Sequence, residues 1–290
     1  MNNITAVVVT FNRPEELKMV VQALLEQTVK PTSIIVIDNA GPLPAQDVLN
    51  PHPIVKICRL NENTGGAGGF SQGILEALKS DSDWIWLMDD DAIPRGDALE
   101  KLIDVKNISS NNIGALCGCV YEYDEIAVAH RRNINFLFGL EWSLPVSKYS
   151  HPEEIQTGSF VGFFLRASVA KIVGLPNADY FLAYDDTEYS LRMKKFGFHL
   201  KLVPESKIDH LRPQGSRLRH GEFANKHFYN VRNRIITMRQ YCSWQLGAVC
   251  WATFIGVALW LKSERCFAAK NRNLFIKSVV DGWTGKLGKI

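Results

Sequence analysis

The chain opens with ITAVVVT (residues 4–10), FNR (11–13) and PEELKMVVQALLEQ (14–27), then crosses a short link to IIVID (34–38). The first and last of these are unbroken apolar runs rich in Val and Ile, the composition of strands buried on both faces. Between them, Pro14 with Glu15 and Glu16 suits the first turn of a helix. Met19, Val20, Ala23 and Leu24 carry that helix to about Gln27. The unit reads as β-α-β. Working outwards, residues 54–60 form a third strand, 66–79 a glycine-opened helix, WIWLM (84–88) a fourth strand and 198–203 a later one before Pro204. Strands alternating with helices predict an α/β fold, a mostly parallel sheet with helices on both faces. Ligands of such sheets bind beyond the carboxyl ends of the strands. The polar clusters at 10–13, 38–39, 61–69 and 89–91 all fall there.

The 290 residues carry 33 Lys+Arg against 30 Asp+Glu, an ordinary globular composition that excludes disordered, collagen-like and mini-protein classes. Six cysteines without a C-x-x-C spacing argue against a zinc module or a disulfide framework and for a reducing compartment. Charge divides sharply along the chain. Residues 1–191 hold 14 basic and 25 acidic side chains, and residues 192–290 hold 19 and 5. Within the basic part, residues 244–261 are eighteen uncharged positions bounded by Arg239 and Lys262 and bearing Trp244, Trp251 and Trp260. At 1.5 Å per residue they span about 27 Å, marginal for a bilayer. Three readings stay open: a helix lying on an anionic leaflet, a core or dimer helix, and a true span. The opening Met1-Asn2-Asn3 lacks the basic flank of a signal peptide, so a cytoplasmic location, peripheral to the inner membrane, is expected. The basic stretch matches no nucleic-acid module, and no nucleic-acid partner is expected.

Asp89-Asp90-Asp91 carries the most chemistry. Three adjacent carboxylates repel one another, and a divalent cation removes the conflict. In extended backbone Asp89 and Asp91 share one side, and oxygen ligands favour Mg²⁺ or Mn²⁺. NENTGGAGGF (61–70) sets four glycines between strand and helix, where backbone N–H groups can approach an anion or a sugar. It is neither a dinucleotide fingerprint nor a P-loop. Farther on, Tyr184-Asp185-Asp186-Thr187-Glu188 places two acids where an apolar loop meets a helix. One of them can cap the helix, with Glu188 and Arg192 as an i,i+4 pair. An adjacent aspartate pair beside aromatic rings also suits a general base, because desolvation and a like-charged neighbour raise one pKa. His210 follows a strand and, taken alone, is a structural histidine or a ligand.

Taken in order, these motifs resemble the inverting glycosyltransferases of family 2 with the GT-A fold, over about residues 1–235, and most of all the bacterial galactofuranosyltransferases. The resemblance implies a GT-A catalytic domain at 1–235; beyond it, composition marks 236–290 as a helical, basic, apolar segment that associates with membrane or forms a dimer. It implies a UDP-sugar donor held by Thr10, Arg13, Asp38, Asn63, Gly65, Gly66, Gly68, Asp89 and Asp90. Asp91, Asp89 and His210 would hold Mn²⁺ or Mg²⁺. Asp186 would be the base, and Asp185 would hold hydroxyl groups. The loop at 157–164 lacks the tryptophans common in related enzymes and leaves Phe160, Phe163 and Tyr184 as acceptor contacts. Tyr229, Arg232 and Asn233 resemble a further segment of the family. The implied reaction moves galactofuranose from UDP-galactofuranose to a lipid-linked saccharide of a surface polysaccharide, at the inner leaflet of the cytoplasmic membrane, with a homo-oligomer left open. Rhamnose or galactopyranose donors are the alternative within the fold. A non-catalytic saccharide-binding protein and a nucleotidyltransferase are rivals from other classes, the last disfavoured because residues 10–16 offer only Arg13 to a triphosphate.

Overall fold

The structure, a computed structural model, describes residues 3–105, 112–211 and 221–290; Met1 and Asn2, where the N-terminal reading began, lie outside them. The first half contains β1 (Ile4–Thr10), α1 (Pro14–Leu25), β2 (Ser33–Asp38), α2 (Ala45–Val48), β3 (Val55–Arg59), α3 (Gly65–Lys79), β4 (Trp84–Asp89), β5 (Ala92–Pro94), α4 (Ala98–Ile103), β6 (Ile113–Glu122) and β7 (Glu125–Ile126). The second contains β8 (Arg131–Asn135), β9 (Leu140–Ser143), β10 (Glu153–Ile155), β11 (Thr157–Gly158), β12 (Phe163–Arg166), α5 (Ala167–Val173), α6 (Asp185–Lys195), β13 (His199–His210), α7 (Asn225–Tyr241), α8 (Gln245–Lys262) and α9 (Ala269–Thr284).

The main sheet runs β10-β13-β6-β12-β4-β1-β2-β3, with β5 on β13 and β7 on β6. β1 pairs in parallel with β2 and β4, and β2 with β3. The order therefore reverses at β1, whose carboxyl end sits beside that of β4, with Val9 opposite Asp89. β12 enters antiparallel between β4 and β6, which makes the sheet mixed. β8, β9 and β11 form a second small sheet.

The period-two alternation of the strands explains their unbroken apolar runs. Val7, Val9, Ile35, Ile37, Ile85 and Leu87 face α3, where Phe70, Ile74 and Ala77 meet them. Ala6, Val8, Ile34, Val36, Trp86 and Met88 face the other way, towards Leu17, Val20, Val21 and Leu24 of α1. Each Val, Ile, Leu or Met among them contributes about 1.5–3 kcal/mol when withdrawn from water, and the buried Thr5 of β1 has its hydroxyl paired with Ser82 Oγ (2.6 Å). α1 stops two residues short of Gln27, whose buried amide instead donates to the carbonyls of Ala23 (3.1 Å) and Arg95 (2.9 Å) and accepts from the N–H of Leu99 (3.0 Å).

A third apolar cluster joins α7, α8 and α9 to the loop before α6. α8 meets α7 through Ala248, Val249, Ala252 and Gly256, small residues that let the helices approach closely. By length and composition α8 is apolar enough to cross a bilayer, and only 22% of it is buried. It is therefore not enclosed in the core.

Candidate active site

The chain reversal at β1 opens a cleft of about 450 Å³ at the carboxyl ends of β1 and β4. It is lined by Val9, Thr10, Phe11, Arg13, Asn39, Gly66, Asp89, Asp90, Asp91, Leu182 and His210. Asp90 turns towards β1, where its Oδ2 accepts from Thr10 Oγ1 (2.8 Å) and from the Phe11 N–H (3.1 Å). Arg13 Nη1 lies 3.3 Å from Asp90 Oδ1 and also pairs with Asp91 Oδ2. Asp89 and Asp91 turn the other way, towards His210. β13 brings that histidine in by pairing antiparallel with β5, so that His210 lies opposite Ala92 and the Leu211 N–H donates to the Asp91 carbonyl (2.8 Å). A bidentate pair between Arg95 and Asp209 (2.8 and 2.9 Å) fixes the register one residue earlier.

Asp89, Asp91 and His210 each present a ligand atom within 4.8 Å of the others. Asp91 Oδ1 is buried, accepts no hydrogen bond and faces His210 Nε2 at 3.3 Å. Burial and then the charge of Asp91 push Asp89 up to about 7; burial pushes Asp90 up to about 6 against the hydrogen bond from Thr10. Asp91 is held low in spite of burial, by His210 and Arg13. Burial opposes the charge on His210, but its pairing with Asp91 and its hydrogen bond to Glu122 outweigh burial and carry it up to about 9. Carboxylate oxygens of Asp89 and Asp91, the orphaned Asp91 Oδ1 among them, and an imidazole nitrogen are a donor set for Mn²⁺ or a similar divalent ion.

The other face of His210 meets residues that the sequence did not single out. Glu122, at the end of β6, takes His210 Nδ1 at 3.0 Å and His130 Nε2 at 3.2 Å on the same Oε1. Hydrogen bonds from His130 and then His210 hold Glu122 well below the usual carboxylate range, and burial lowers His130 to about 4. Neither residue stands out in sequence: Glu122 ends an ordinary strand and His130 precedes two arginines.

The second acidic pair starts α6. Burial, then the charges of Asp186 and Asp89, raise Asp185 well above its ordinary value, which sets the pair within electrostatic reach of the metal-type cluster. Burial also raises Asp186, opposed chiefly by Arg132, and its Oδ1 accepts from Thr187 Oγ1 (3.0 Å). Glu188 and Arg192 form the expected i,i+4 pair at 2.7 Å. The loop before α6 is strained: Phe181, Ala183 and Tyr184 all have φ between 62 and 66°. Asn233 holds it, its Nδ2 donating to the carbonyls of Tyr180, Leu182 and Ala183 at 2.8–3.0 Å, and Arg232 adds a bond to Tyr180 O (3.1 Å). The Arg-Asn pair of α7 thus fixes the approach to Asp185.

Several expected contacts lie elsewhere. Asp38 is buried, pairs with Arg59 and accepts the N–H groups of Gly41 (3.2 Å) and Ala45 (2.9 Å); Asn39 lines the cleft in its place. Asn39 Nδ2 also donates to Gly65 O (2.8 Å), and its Oδ1 accepts from the Thr64 N–H (2.9 Å), tying β2 to the glycine loop. Within that loop only Gly66 faces the cleft, with nothing near a Cβ placed there. Gly65 has φ +72° and abuts Phe181 O, Asn63 Oδ1 caps the Gly65 N–H (2.8 Å), and Gly68 presses on Thr64. Gly69 lets α3 press on Val9 of β1. Phe160 and Phe163 are corrected outright. They are 3% and 0% exposed and pack edge-to-face on each other at 5.5 Å, so neither ring has a surface to offer an acceptor. Tyr184 is 4% exposed, and its hydroxyl donates to Glu141 (2.7 Å) between Arg132 and Arg234.

The mixed sheet, the cleft at the β1–β4 reversal and the acidic cluster beyond β4 define a GT-A transferase fold. The chain belongs to glycosyl transferase family 2, whose model its residues 5–171 match. It is 28% identical to galactofuranosyltransferase GlfT1 of Mycobacterium tuberculosis over 271 residues, 87% of each chain. It is 26% identical to the dTDP-rhamnosyl transferase RfbF of Shigella flexneri over 245 residues, 82% of this chain and 81% of that one. Among solved structures, the mannosyltransferase PcManGT of Pyrobaculum calidifontis, in complex with GDP-Man and Mn²⁺, superposes with a TM-score of 0.62 at 13% identity, over 98% of this chain and 88% of that one. GalNAc-T7 with UDP, GalNAc and Mn²⁺ superposes with a TM-score of 0.61 at 15% identity, over 81% of this chain; the match spans about half (49%) of the GalNAc-T7 chain.

Proposed function

We propose that the protein is an inverting, divalent-metal-dependent galactofuranosyltransferase, acting from UDP-galactofuranose on a hydroxyl of a lipid-linked saccharide in surface polysaccharide synthesis. The observation that carries this reading is the Asp89–Asp91–His210 cluster at the carboxyl end of β4, with Asp185 at the start of α6 within electrostatic reach of Asp89. A divalent ion, Mn²⁺ or Mg²⁺, held by Asp89, Asp91 and His210 would neutralise charge on the departing diphosphate. Thr10, Phe11, Arg13, Asn39 and Gly66 line the rest of the cleft and would seat the nucleotide, with Arg13 free to trade its carboxylate partners for phosphate oxygens. Asp186, raised by burial towards working pH, would take the proton of the acceptor hydroxyl, worth roughly 10²- to 10⁴-fold in rate. Asp185 would hold hydroxyl groups beside it. One displacement without a covalent intermediate inverts the anomeric centre.

The likeness to GlfT1 supports galactofuranose, and the likeness to RfbF favours dTDP-rhamnose as the second reading. Purified protein with Mn²⁺ and a panel of UDP-galactofuranose, UDP-galactopyranose and dTDP-rhamnose decides between them by donor turnover. Residues 1–235 are the catalytic part of the proposal and 236–290 the part that rests on the membrane. An apolar groove lined by Phe138, Leu140, Trp244, Trp251 and Phe254 supports the latter. Loss of transfer with retained donor binding in Asp186→Asn separates an enzyme from a saccharide-binding protein.

A further inference from the structure

Behind the cluster of Asp89, Asp91 and His210 runs a chain of polar contacts that the transfer reaction does not use. Ser159, in the loop between β11 and β12, places Oγ 2.7 Å from His130 Nδ1. His130 Nε2 and His210 Nδ1 both reach Glu122 Oε1, and the two rings meet edge-to-face at 5.3 Å. Arg131 braces this chain from beneath. Fully buried, it donates to the carbonyls of Gly118 (2.7 and 3.0 Å), Val161 (2.7 Å) and His130 (2.9 Å), so the loop carrying Ser159 and the strand carrying Glu122 are held together.

Hydrogen-bond chemistry fixes the direction of every link. A carboxylate only accepts, so both imidazole nitrogens that face Glu122 carry their protons. His130, protonated on Nε2, then offers a bare Nδ1 to the Ser159 hydroxyl. His210, protonated on Nδ1, turns Nε2 towards Asp91 and Asp89, where without the ion it faces a carboxylate and carries a second proton, whose place an ion would take. Without Glu122 the other tautomer would place a proton where the cluster needs a lone pair, and the ring would lose the contact that sets its plane.

Resting on the reading of Asp89, Asp91 and His210 as metal ligands, we infer that Glu122 is a positioning residue. It sets the tautomer and orientation of His210 for a divalent ion, and His130 and Ser159 hold Glu122 in place. Glu122 touches neither the ion nor the sugar. Residues of this kind change metal affinity by about 10- to 100-fold.

The test counts free Mn²⁺ by electron paramagnetic resonance during titration of the full chain, without donor, for wild type and for the Asp91→Ala, Glu122→Ala and Glu122→Gln variants. Unfolding midpoints in chelator serve as the structural control. Asp91→Ala is expected to abolish tight binding. Glu122→Ala should weaken it about 10- to 100-fold, whereas Glu122→Gln keeps an oxygen acceptor and should recover most of that loss. Loading with ¹¹³Cd²⁺ and ¹⁵N-labelled histidine reads the tautomer in the wild type, with cadmium coupling expected at His210 Nε2 and a proton on Nδ1. If Asp91→Ala binds as wild type does, the metal reading itself fails. If Asp91→Ala loses the ion but folded Glu122→Ala binds within twofold of wild type, or cadmium couples to Nδ1, only the positioning role is overturned.

Discussion

Two carboxylates only two residues apart, Asp89 and Asp91, have opposite characters in the cleft. Asp91 is held ionised by His210 and Arg13, while Asp89 beside it is pushed up to about 7 by burial and by the charge of Asp91. Asp90 sits between at about 6. These groups make a signed prediction for the metal-free protein. Asp89 and Asp90 have folded pKa values above their unfolded ones, so the stability they contribute is complete at low pH and is lost as pH rises through 6 and 7. His210, raised from 6.5 to about 9, acts in the same direction, contributing below 6.5 and fading as pH rises through 9. Glu122 and Glu141, held low by their histidine and arginine partners, oppose this only in acid, where their contribution disappears as pH falls below the ordinary carboxylate range. Unfolding midpoints in chelator should therefore fall between pH 6 and 9, and Mn²⁺ should raise the midpoint more at pH 8 than at pH 6, because the ion takes the place of protons. Equal gains at both values would refute the assignment. Replacing the proposed base makes a separate prediction. Asp186→Asn should lower the rate of transfer roughly 10²- to 10⁴-fold, while Mn²⁺ and UDP affinity, measured calorimetrically, stay within a few-fold of wild type.

The glycine loop separates two roles at the scale of one helix. Gly69 and Gly73 sit where α3 presses on Val9 and Val7, and a methyl group there would push the helix off the sheet. Overpacking of this kind costs about 1–3 kcal/mol, so Gly69→Ala should lower the unfolding free energy in urea by that amount. Gly66→Ala meets nothing and should leave stability unchanged or slightly raised, while weakening UDP binding because Gly66 borders the cleft. A stable Gly69→Ala, or a destabilised Gly66→Ala, would reverse the division of roles. This helix also shows how far the sequence could be read. Its strand-loop-helix position and its glycine content were legible, because period-two runs and turn residues are local signals. Which glycine served packing and which faced the ligand was not, since that depends on the distance between α3 and β1. The same limit hid Glu122 and His130, which reach His210 only after β6 and β13 pair. It misassigned Phe160 and Phe163 as well: an aromatic loop residue reads alike whether its ring faces a sugar or the core. The acid triplet escaped this limit because three adjacent aspartates after an apolar strand conflict within the local chain itself. Antiparallel β12 was not anticipated, because a short apolar strand carries no mark of its direction.

At the scale of the whole molecule, the acidic cleft and the basic helical end are joined through α7, which anchors the loop before Asp185 with Arg232 and Asn233 and forms the bed for α8 and α9. Residues 236–290 carry eight Lys+Arg against two Asp+Glu. Leu246 and Phe254 of α8 are 62% and 59% exposed, and across the helix Trp283 Nε1 donates to Thr253 Oγ1 (2.9 Å), bringing the exposed Val280 and Ile276 of α9 alongside. An apolar surface of this kind set among cations suits an anionic bilayer more closely than it suits a second copy of the same basic face, which would repel it. Each Lys or Arg near such a surface contributes about 1 kcal/mol, and the attraction falls off within a Debye length of about 10 Å at 0.1 M salt. The chain should therefore sediment with vesicles containing anionic lipid and much less with zwitterionic ones. Raising the salt should weaken that binding, leaving the part due to apolar burial. Leu246→Ser with Phe254→Ser should remove that remaining part with little change in the unfolding midpoint, because both side chains are more than half exposed and Phe254 stacks on Trp251 of its own helix at 5.5 Å. Transfer to a short soluble acceptor should be unchanged in this variant, and transfer to a lipid-linked acceptor in vesicles should fall. Failure to sediment with either vesicle type, with a concentration-dependent dimer in ultracentrifugation that the double variant abolishes, would place a second copy of the chain on this face instead of a membrane.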